Sequence, residues 1–489
     1  NLANRKIFIG KTSNITTSYA NEFKWADIET SLKNSLNRAN ASSEPDNLGQ
    51  SRLDFIRGDR SLEASTFRKR SSRLGDIVNS GVAFSGAPTT RFTDTAYRSF
   101  YNDNKNRSHA IFVGANDGML HAFNASTMDE IFAYIPSWLG GKLSTLTVSD
   151  YNSSRHTSYV DATPVIAEAQ VNNSWKTVLV SGTGGGGQGV FALDITSPNN
   201  FDSSKVLWEF TDADDASLGN VVGQPRILKL QTNPTSNNQT PIYKWFAVIP
   251  SGVNNYIEDG SNRFSTTGEP ALLFLDLSKR TSESWVLGEN YFKITFPLQT
   301  SNTSGVLDGN GTSKSSGVIN FEATGSSDGS VEFIYIGDLH GQMWKLDMKK
   351  VNFTSRKSSE WDLIKASYFK YSTTPKPLYI AQDSNSKVQP ISMIPTIAYG
   401  PFGSYIIGFG TGKYLEASDN SINSSTQIQS FYVLYDLPDD TIERNWSSKF
   451  FNGKEHLRSA TTSGNTISSE KFTWVSTKDT NDKHKSGWY

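Results

Sequence analysis

The sequence predicts an all-β protein, a modified β-propeller of about six to seven uneven blades with a short helical N-terminal segment. Three observations lead there. From about residue 75 onward, apolar runs of about four to six residues rich in Val, Ile, Phe and Tyr alternate with clusters of Gly, Asn, Asp and Ser, the pattern of strands and turns. One two-strand unit recurs through that stretch. The beginning of the chain follows a different period, with Trp25, Ile28, Leu32 and Leu36 at helical spacing and Leu53 and Ile56 fitting a further turn. The expected organisation is a helical prologue over residues 1–60 packed on a propeller over residues 61–489.

The recurring unit carries the fold argument. It appears as AIFVGANDGMLHAFN closing at Asn124, TVLVSGTGGGGQGVFALD closing at Asp194, a longer WFAVIPSG through ALLFLD closing at Asp276, FIYIGDLHGQMWKLD closing at Asp347, and YIIGFGTGKYLEAS through SFYVLYD closing at Asp436. The closing residues recur at intervals of roughly 70 to 90 residues, which reads as large, uneven propeller blades. In each copy an apolar strand runs into Gly, expected to accept the positive φ of a tight turn, and a second apolar strand leaves it. Asp or Asn then caps the next turn. A sheet of this size cannot bury both faces alone, so copies must pack on each other, and radial packing protects their edges.

Composition narrows the function classes. The chain of 489 residues has 36% hydrophobic and 12% aromatic residues, enough for a substantial core, and a formal net charge of −1. Near-neutrality removes the main support for coating nucleic acid or a membrane surface. No apolar run approaches the roughly 20 residues a bilayer-crossing helix needs, and the opening NLANRKIFIG lacks the apolar core of a secretion signal. The chain has no cysteine, which excludes a disulfide framework, Cys-ligated zinc and thiol catalysis.

Several motifs have simpler structural readings. The six histidines, His109, His121, His156, His340, His456 and His484, form no ligand pair at helical spacing. His121 and His340 hold equivalent places near hairpins and read as packing or hydrogen-bonding residues. GTGGGGQG, Gly182 to Gly189, lacks the Lys-Ser/Thr and helix start of a phosphate loop and reads as a flexible hairpin tip. FRKRSSR, Phe67 to Arg73, reads as a solvated helix face or an internal ion-pair set.

An ordered set of motifs then points to a family. GANDGMLHAFNA (Gly114 to Ala125) resembles the unit of quinoprotein-dehydrogenase-like propellers. Around it stand FRKRSSRLGDIVNSG (Phe67 to Gly81), Tyr159-Val160-Asp161 with Thr163-Pro164, WEF (Trp208 to Phe210) with Leu218-Gly219, IYIGDLHGQMWKLD, GFGTGKYLE (Gly408 to Glu416) and the final GWY (Gly487 to Tyr489). The set, from about Leu53 to the last residue, resembles the C-terminal domain of the PilC/PilY family of type IV pilus-associated adhesins. The resemblance implies further strands after Tyr489.

It also implies a non-enzymatic module at the bacterial cell surface, pilus-tip-located, outer-membrane-associated or secreted. Its implied roles are pilus biogenesis, twitching motility and host-cell attachment, with minor pilins of the pilus tip and a host-cell receptor as partners and calcium governing extension against retraction. Nucleic acid is not an implied partner. The family's motif residues are mostly turn and inter-blade packing residues rather than an active site. Its calcium loop maps onto TGSSDGSVE, making Thr324, Ser326, Asp328 and Glu332 the candidate calcium ligands; only two are carboxylates, and an ordinary Asp-Gly hairpin is the competing reading. Other oxygen clusters, Asp308 with Asn310 and Asp212, Asp214 and Asp215, read as solvated turns. Arg57-Gly58-Asp59 spells the integrin tripeptide, against a structural reading in which Gly58 caps a packed helix. The Asn/Ser/Thr-rich stretches 231–242, 301–317 and 417–428 are expected contact loops. Two alternatives stay open: a quinone-cofactor dehydrogenase, which in many members needs a cysteine pair absent here, and an intracellular scaffold propeller.

Overall fold

The computed structural model describes residues 2–13, 15–89, 92–152, 154–234, 240–258, 263–299, 314–400, 403–423, 426–436, 451–452, 457–464, 466–469 and 487–489. The chain opens with β1 (Ile7–Gly10), β2 (Ala20–Glu22), α1 (Thr30–Leu36) and α2 (Gly49–Ile56). Next come β3 (Ala83–Ser85), α3 (Thr95–Asn104), β4 (Ala110–Gly114), β5 (Leu120–Asn124) and β6 (Glu130–Ile135). These strands make a six-stranded sheet in the order β2-β1-β6-β5-β4-β3. The segment expected as a purely helical prologue thus also supplies strand. Ile7 to Gly10 are all buried, and β1 lies parallel to β6 with Phe8 opposite Tyr134. Four apolar residues carry no measurable period, so this strand left no signature of its own. Helix α3 also departs from the strand pattern expected after residue 75. Its Asp94 side chain caps Tyr97 N–H, and Tyr97 and Phe100 bury one face.

The next sheet is the expected antiparallel meander. It joins β7 (Val165–Val171), β8 (Ser174–Gly182), β9 (Gly189–Asp194) and β10 (Val206–Thr211) in the order β10-β9-β8-β7. Four further strands follow in the chain, β11 (Arg226–Gln231), β12 (Tyr243–Pro250), β13 (Ala271–Asp276) and β14 (Tyr291–Thr295). Then come β15 (Val318–Gly325), β16 (Val331–Asp338), β17 (Gln342–Asp347), α4 (Leu363–Ala366), β18 (Phe369–Tyr371), β19 (Thr374–Lys376), β20 (Tyr379–Ile380), β21 (Thr396–Tyr399), β22 (Tyr405–Gly410), β23 (Phe431–Asp436) and β24 (Phe451–Asn452). The last strands are β25 (Ala460–Ser463), β26 (Thr466–Ser469) and β27 (Gly487–Trp488). One sheet runs β15-β16-β17-β20-β24 and another β21-β22-β23-β27. The final GWY therefore supplies a strand, pairing Trp488 with Val433. Among the described residues no helix is long and apolar enough to cross a membrane.

Second strands such as β9, β13 and β17 are buried at every position, as expected of strands covered on both faces. The closing residues act as caps in four units. Asn124 accepts from Ser126 N–H, Asp194 from Thr196, Asp276 from Ser278 and Asp347 from Lys349. Asp436 turns inward. Its Oδ2 lies 2.6 Å from Lys345 Nζ and accepts from the Tyr335 hydroxyl at 2.5 Å, with both ions fully buried. The rings of Tyr368 and Phe333, centred 3.8 and 4.2 Å from Nζ, complete the ammonium's surroundings.

The positive φ expected at the turn is carried by the glycine inside each hairpin, Gly118 at 97°, Gly184 at 57°, Gly252 at 73°, Gly341 at 74° and Gly412 at 123°, while the glycines at the strand ends serve another purpose. Gly114, Gly182 and Gly337 do not adopt positive φ. They lie instead where another segment crosses the strand. A Cβ on Gly114 would meet the Val160 carbonyl oxygen at 2.3 Å, one on Gly182 the Val221 Cβ at 2.9 Å, and one on Gly337 the Ile391 Cγ2 at 2.2 Å. The run from Gly182 to Gly189 is likewise packed rather than a flexible tip: Tyr159 backbone lies against Gly186 and the Trp138 indole against Gly189, so a side chain at either would collide.

The chain divides into two compact units, Asn1–Leu228 with Lys244–Phe264 and Phe274–Val286, and Lys229–Tyr243 with Ser265–Leu273 and Leu287–Tyr489. In the first, Phe132 stacks on Phe201 at 3.7 Å and the Trp285 ring meets those of Trp208 and Phe210 edge-on. The core of the second gathers Tyr335, Met343, Tyr379, Ile407, Phe409 and Tyr432.

A buried charge network in the first unit sets its pH response. His121 Nδ1 lies 2.8 Å from Glu130 Oε1 and Nε2 3.1 Å from Asp117 Oδ1, while Arg5 Nη2 donates to Glu130 Oε1 at 2.7 Å. Burial alone would depress the imidazole, but Asp117 and Glu130 outweigh it and hold it at about 9. Burial would likewise raise Glu130, and the hydrogen bonds and charges of Arg5 and His121 hold it at about 2. His340, expected at an equivalent place, instead sits in the turn between β16 and β17 while His121 lies within β5, and it is the opposite case. Burial lowers it to about 4, and its Nδ1 accepts from Gln299 N–H at 3.1 Å.

The imidazolium's contribution to stability is complete below the ordinary His value near about 6.5 and is lost as pH rises through about 9. That of Glu130 is present above about 4.3 and is lost as pH falls through about 2. The denaturant midpoint of the wild type is therefore expected to fall between pH 7 and about 9. His121→Gln, which leaves two buried carboxylates short of a cation, should cost about 3–5 kcal/mol at neutral pH and flatten that fall. A wild-type midpoint constant over this interval would mean a neutral His121.

Candidate functional site

The hairpin joining β15 to β16 holds all four candidate calcium ligands. Its tip is a tight turn in which Gly329, at φ 77°, returns the chain, with Gly329 N–H bonded to Ser326 O and Ser326 N–H to Ser330 O. Thr324 is buried on β15 and its hydroxyl accepts from Phe333 N–H at 3.0 Å. Asp328 Oδ1 accepts from the Ser330 amide at 3.0 Å and hydroxyl at 2.6 Å. Burial would raise Asp328, yet Ser330 together with the Tyr243 hydroxyl and the Lys229 charge bring it to about 2. Glu332 pairs with Lys349 at 2.8 Å. The Ser326 hydroxyl is enclosed with no hydrogen-bond partner among the described residues.

A cation already sits at this tip. Lys229 Nζ donates to the Asp328 carbonyl oxygen at 3.0 Å and lies 4.4 Å from the centre of the Tyr243 ring. The hairpin thus brings the four predicted residues into one stretch, with Thr324, Asp328 and Glu332 each bonded to a separate partner. Among the described residues no group of three His, Asp or Glu side chains could hold a metal ion.

The Arg57-Gly58-Asp59 tripeptide closes α2. Gly58, at φ 112°, donates to Phe55 O, and Asp59 N–H reaches back to Asp54 O, the paired bonds of a glycine-capped helix end. The Arg57 side chain runs inward. It is 8% exposed, and its guanidinium donates to the carbonyl oxygens of Phe23 at 2.8 Å, Arg5 at 2.9 Å and Leu2 at 3.3 Å. Asp59 Oδ1 accepts from Ser61 N–H at 2.6 Å. The structural reading of the tripeptide describes this geometry. A receptor approaching from solvent meets Asp59 but not the guanidinium.

Other motif residues are spent on holding segments together. Asp161 accepts from Asn79 N–H at 2.9 Å and Asn79 Nδ2 at 2.7 Å, and Thr163 Oγ1 from Gly81 N–H at 2.8 Å. Asn116 joins Asp76 to Tyr159. Asp212 and Asp215 are buried rather than solvated, with Asp215 capping Ser217 N–H. Asp308, Asn310, His456, His484 and most of 301–317 lie outside the described residues.

The architecture can now be set beside known proteins. A family model, the PilY1 beta-propeller domain, matches residues 74–448. The chain belongs to this family. It is 33% identical over 453 residues to the type IV pilus biogenesis factor PilY1 of Pseudomonas aeruginosa (strain UCBPP-PA14), covering 89% of this chain and 35% of that protein. To a PilY1 homolog of Xylella fastidiosa (strain Temecula1) it is 30% identical over 409 residues, covering 78% and 24%. The crystal structure of the Pseudomonas aeruginosa PilY1 C-terminal domain superposes with a TM-score of 0.58 at 26% identity, covering 83% of this chain and 76% of that one. The chain spans about a third or less of the length of these curated relatives. As expected from its repeats, it is a β-propeller domain.

In this chain the residues of the hairpin do not fit the calcium ion that the resemblance implied. Calcium takes six to eight oxygens, with carboxylates supplying the charge. Here Thr324, Asp328 and Glu332 are already committed to an amide, a turn and a lysine, and the Lys229 ammonium would repel a divalent ion. Thermal unfolding with chelator and with millimolar calcium is expected to give the same midpoint, because only a ligand of the native state raises it. A calcium-dependent rise of several degrees, abolished by Asp328→Asn, would contradict this.

Proposed function

We propose that this propeller serves type IV pilus biogenesis at the bacterial cell surface as a non-enzymatic module. The observation that carries the reading is membership of the PilY1 propeller family, since the relatives in Pseudomonas aeruginosa and Xylella fastidiosa bear the name of type IV pilus biogenesis factors. The arrangement of the motif residues supports it. Asn79, Asn116, Asp161 and Thr163 stitch segments to one another, as in a domain whose shared residues preserve a scaffold, which leaves surface loops to meet partners. The partners are the minor pilins of the pilus tip, and, through the same loops, a host-cell receptor. Arg57 has no part in that attachment, because its guanidinium is bound inside the fold. Twitching follows as a consequence of pilus extension and retraction.

In-frame deletion of this segment in the source bacterium, scored for surface pili, twitching and attachment to host cells, should abolish surface pili and twitching and reduce attachment. Normal scores on all three would overturn the proposal.

A further inference from the structure

A cavity of about 180 Å³ opens in the first unit between the end of α2 and the stretch Arg68 to Asp76. That basic stretch, expected as a helix face or an ion-pair set, forms no helix. Arg70 takes the ion-pair part. It is buried, bound to Glu63 at 2.7 Å and to the carbonyl oxygens of Phe55 and Asp59. Arg68 and Arg73 are held differently. Arg68 Nε donates to Leu146 O at 2.6 Å, its backbone N–H bonds Thr147 O, and its guanidinium lies 4.6 Å from the centre of the Tyr151 ring. Arg73 Nε donates to Gly58 O at 2.9 Å. Each guanidinium is thus oriented through one nitrogen, and its two Nη groups have no hydrogen-bond partner among the described residues. Both line the same cavity.

The carboxylates on the wall do not cancel these charges. Asp117 is taken by His121 and by Gly75 N–H at 2.9 Å, and Asp76 by His156 at 2.9 Å and Asn116 Nδ2 at 2.9 Å. Two guanidinium groups held at the wall of one space, Arg68 half-buried and Arg73 exposed at its mouth, match the planar, doubly accepting edge of a carboxylate or a phosphate. The remaining wall, with Phe55, Leu146 and Tyr151, offers apolar surface to a short carbon skeleton, and the volume exceeds the roughly 150 Å³ that accepts a benzene.

We propose that this cavity is a binding site for a small organic anion, whose carboxylate or phosphate group is held by Arg68 and Arg73. The site is independent of the pilus-biogenesis reading, and its test uses the purified chain. Calorimetric titration with succinate and with inorganic phosphate, at constant ionic strength set with chloride, should show saturable binding of at least one, and the tighter probe identifies the group recognised. The Arg68→Gln/Arg73→Gln variant should bind it about tenfold or more weakly, a loss of about 1.4 kcal/mol. A second measurement needs no variant. The bound anion should protect Arg68 and Arg73 of the wild type from phenylglyoxal, read by peptide mass spectrometry. No saturable binding of either probe, undiminished binding by the double variant, or modification of both arginines unaffected by anion would each overturn the proposal.

Discussion

The structure depends on one steric constraint: at the end of a buried strand, another segment of the chain must cross at a distance that leaves no room for a Cβ. Gly114 beneath the Val160 carbonyl, Gly182 beneath Val221 and Gly337 beneath Ile391 occur at corresponding places in the first, second and fourth of the recurring units. The crossing segments are themselves tied down, Val160 lying between Tyr159, whose N–H bonds Asn116, and Asp161, whose carboxylate binds Asn79. Burial of apolar faces supplies the driving force for stacking sheets, but it is non-directional and would accept many offsets. The glycine crossings select one offset, because interiors pack too densely to absorb an extra carbon without shifting backbone.

Charged groups inside the units work in the same direction. Lys345 is fully buried, and its position is defined from several sides by Asp436, Tyr368 and Phe333. A pair of this kind adds little net stability over an apolar equivalent, yet an ion left without its partner is costly, so it penalises every arrangement in which the two strands do not meet. The imidazolium of His121 plays this part in the first unit by linking the turn residue Asp117 to Glu130 of β6. His340 shows how local the outcome is. In the turn between β16 and β17 rather than within a strand, and with a backbone amide where His121 has carboxylates, it is held neutral.

What could be read from the sequence follows the range over which each interaction acts. The closing Asn124, Asp194, Asp276 and Asp347 were legible because an Asx cap is made two residues away. Asp436 carries the same spacing, but its partner Lys345 is distant in sequence and nothing local announces it. Gly58 as a helix cap was visible, whereas the burial of Arg57 rests on Leu2, Arg5 and Phe23. The positive φ of the hairpin glycines Gly118, Gly184, Gly252, Gly341 and Gly412 was legible, whereas the need for a missing Cβ at Gly114, Gly182 and Gly337 appears only when the crossing segment is present. The basic run at Arg68 to Arg73 concealed a cavity for the same reason, since the carbonyls of Leu146 and Gly58 aim its side chains. In the candidate calcium hairpin the Asp-Gly turn was readable, while the Lys229 ammonium that occupies its tip comes from β11, far back in the chain.

The measurement that bears most directly on the crossing constraint compares Gly114→Ala with Gly141→Ala in denaturant unfolding. A Cβ at Gly141 has nothing within 4 Å, so that variant should stay within about 0.5 kcal/mol of wild type. At Gly114 the added carbon meets a backbone oxygen, and the predicted loss is about 1–3 kcal/mol or more. Equal midpoints for the two variants would contradict the account.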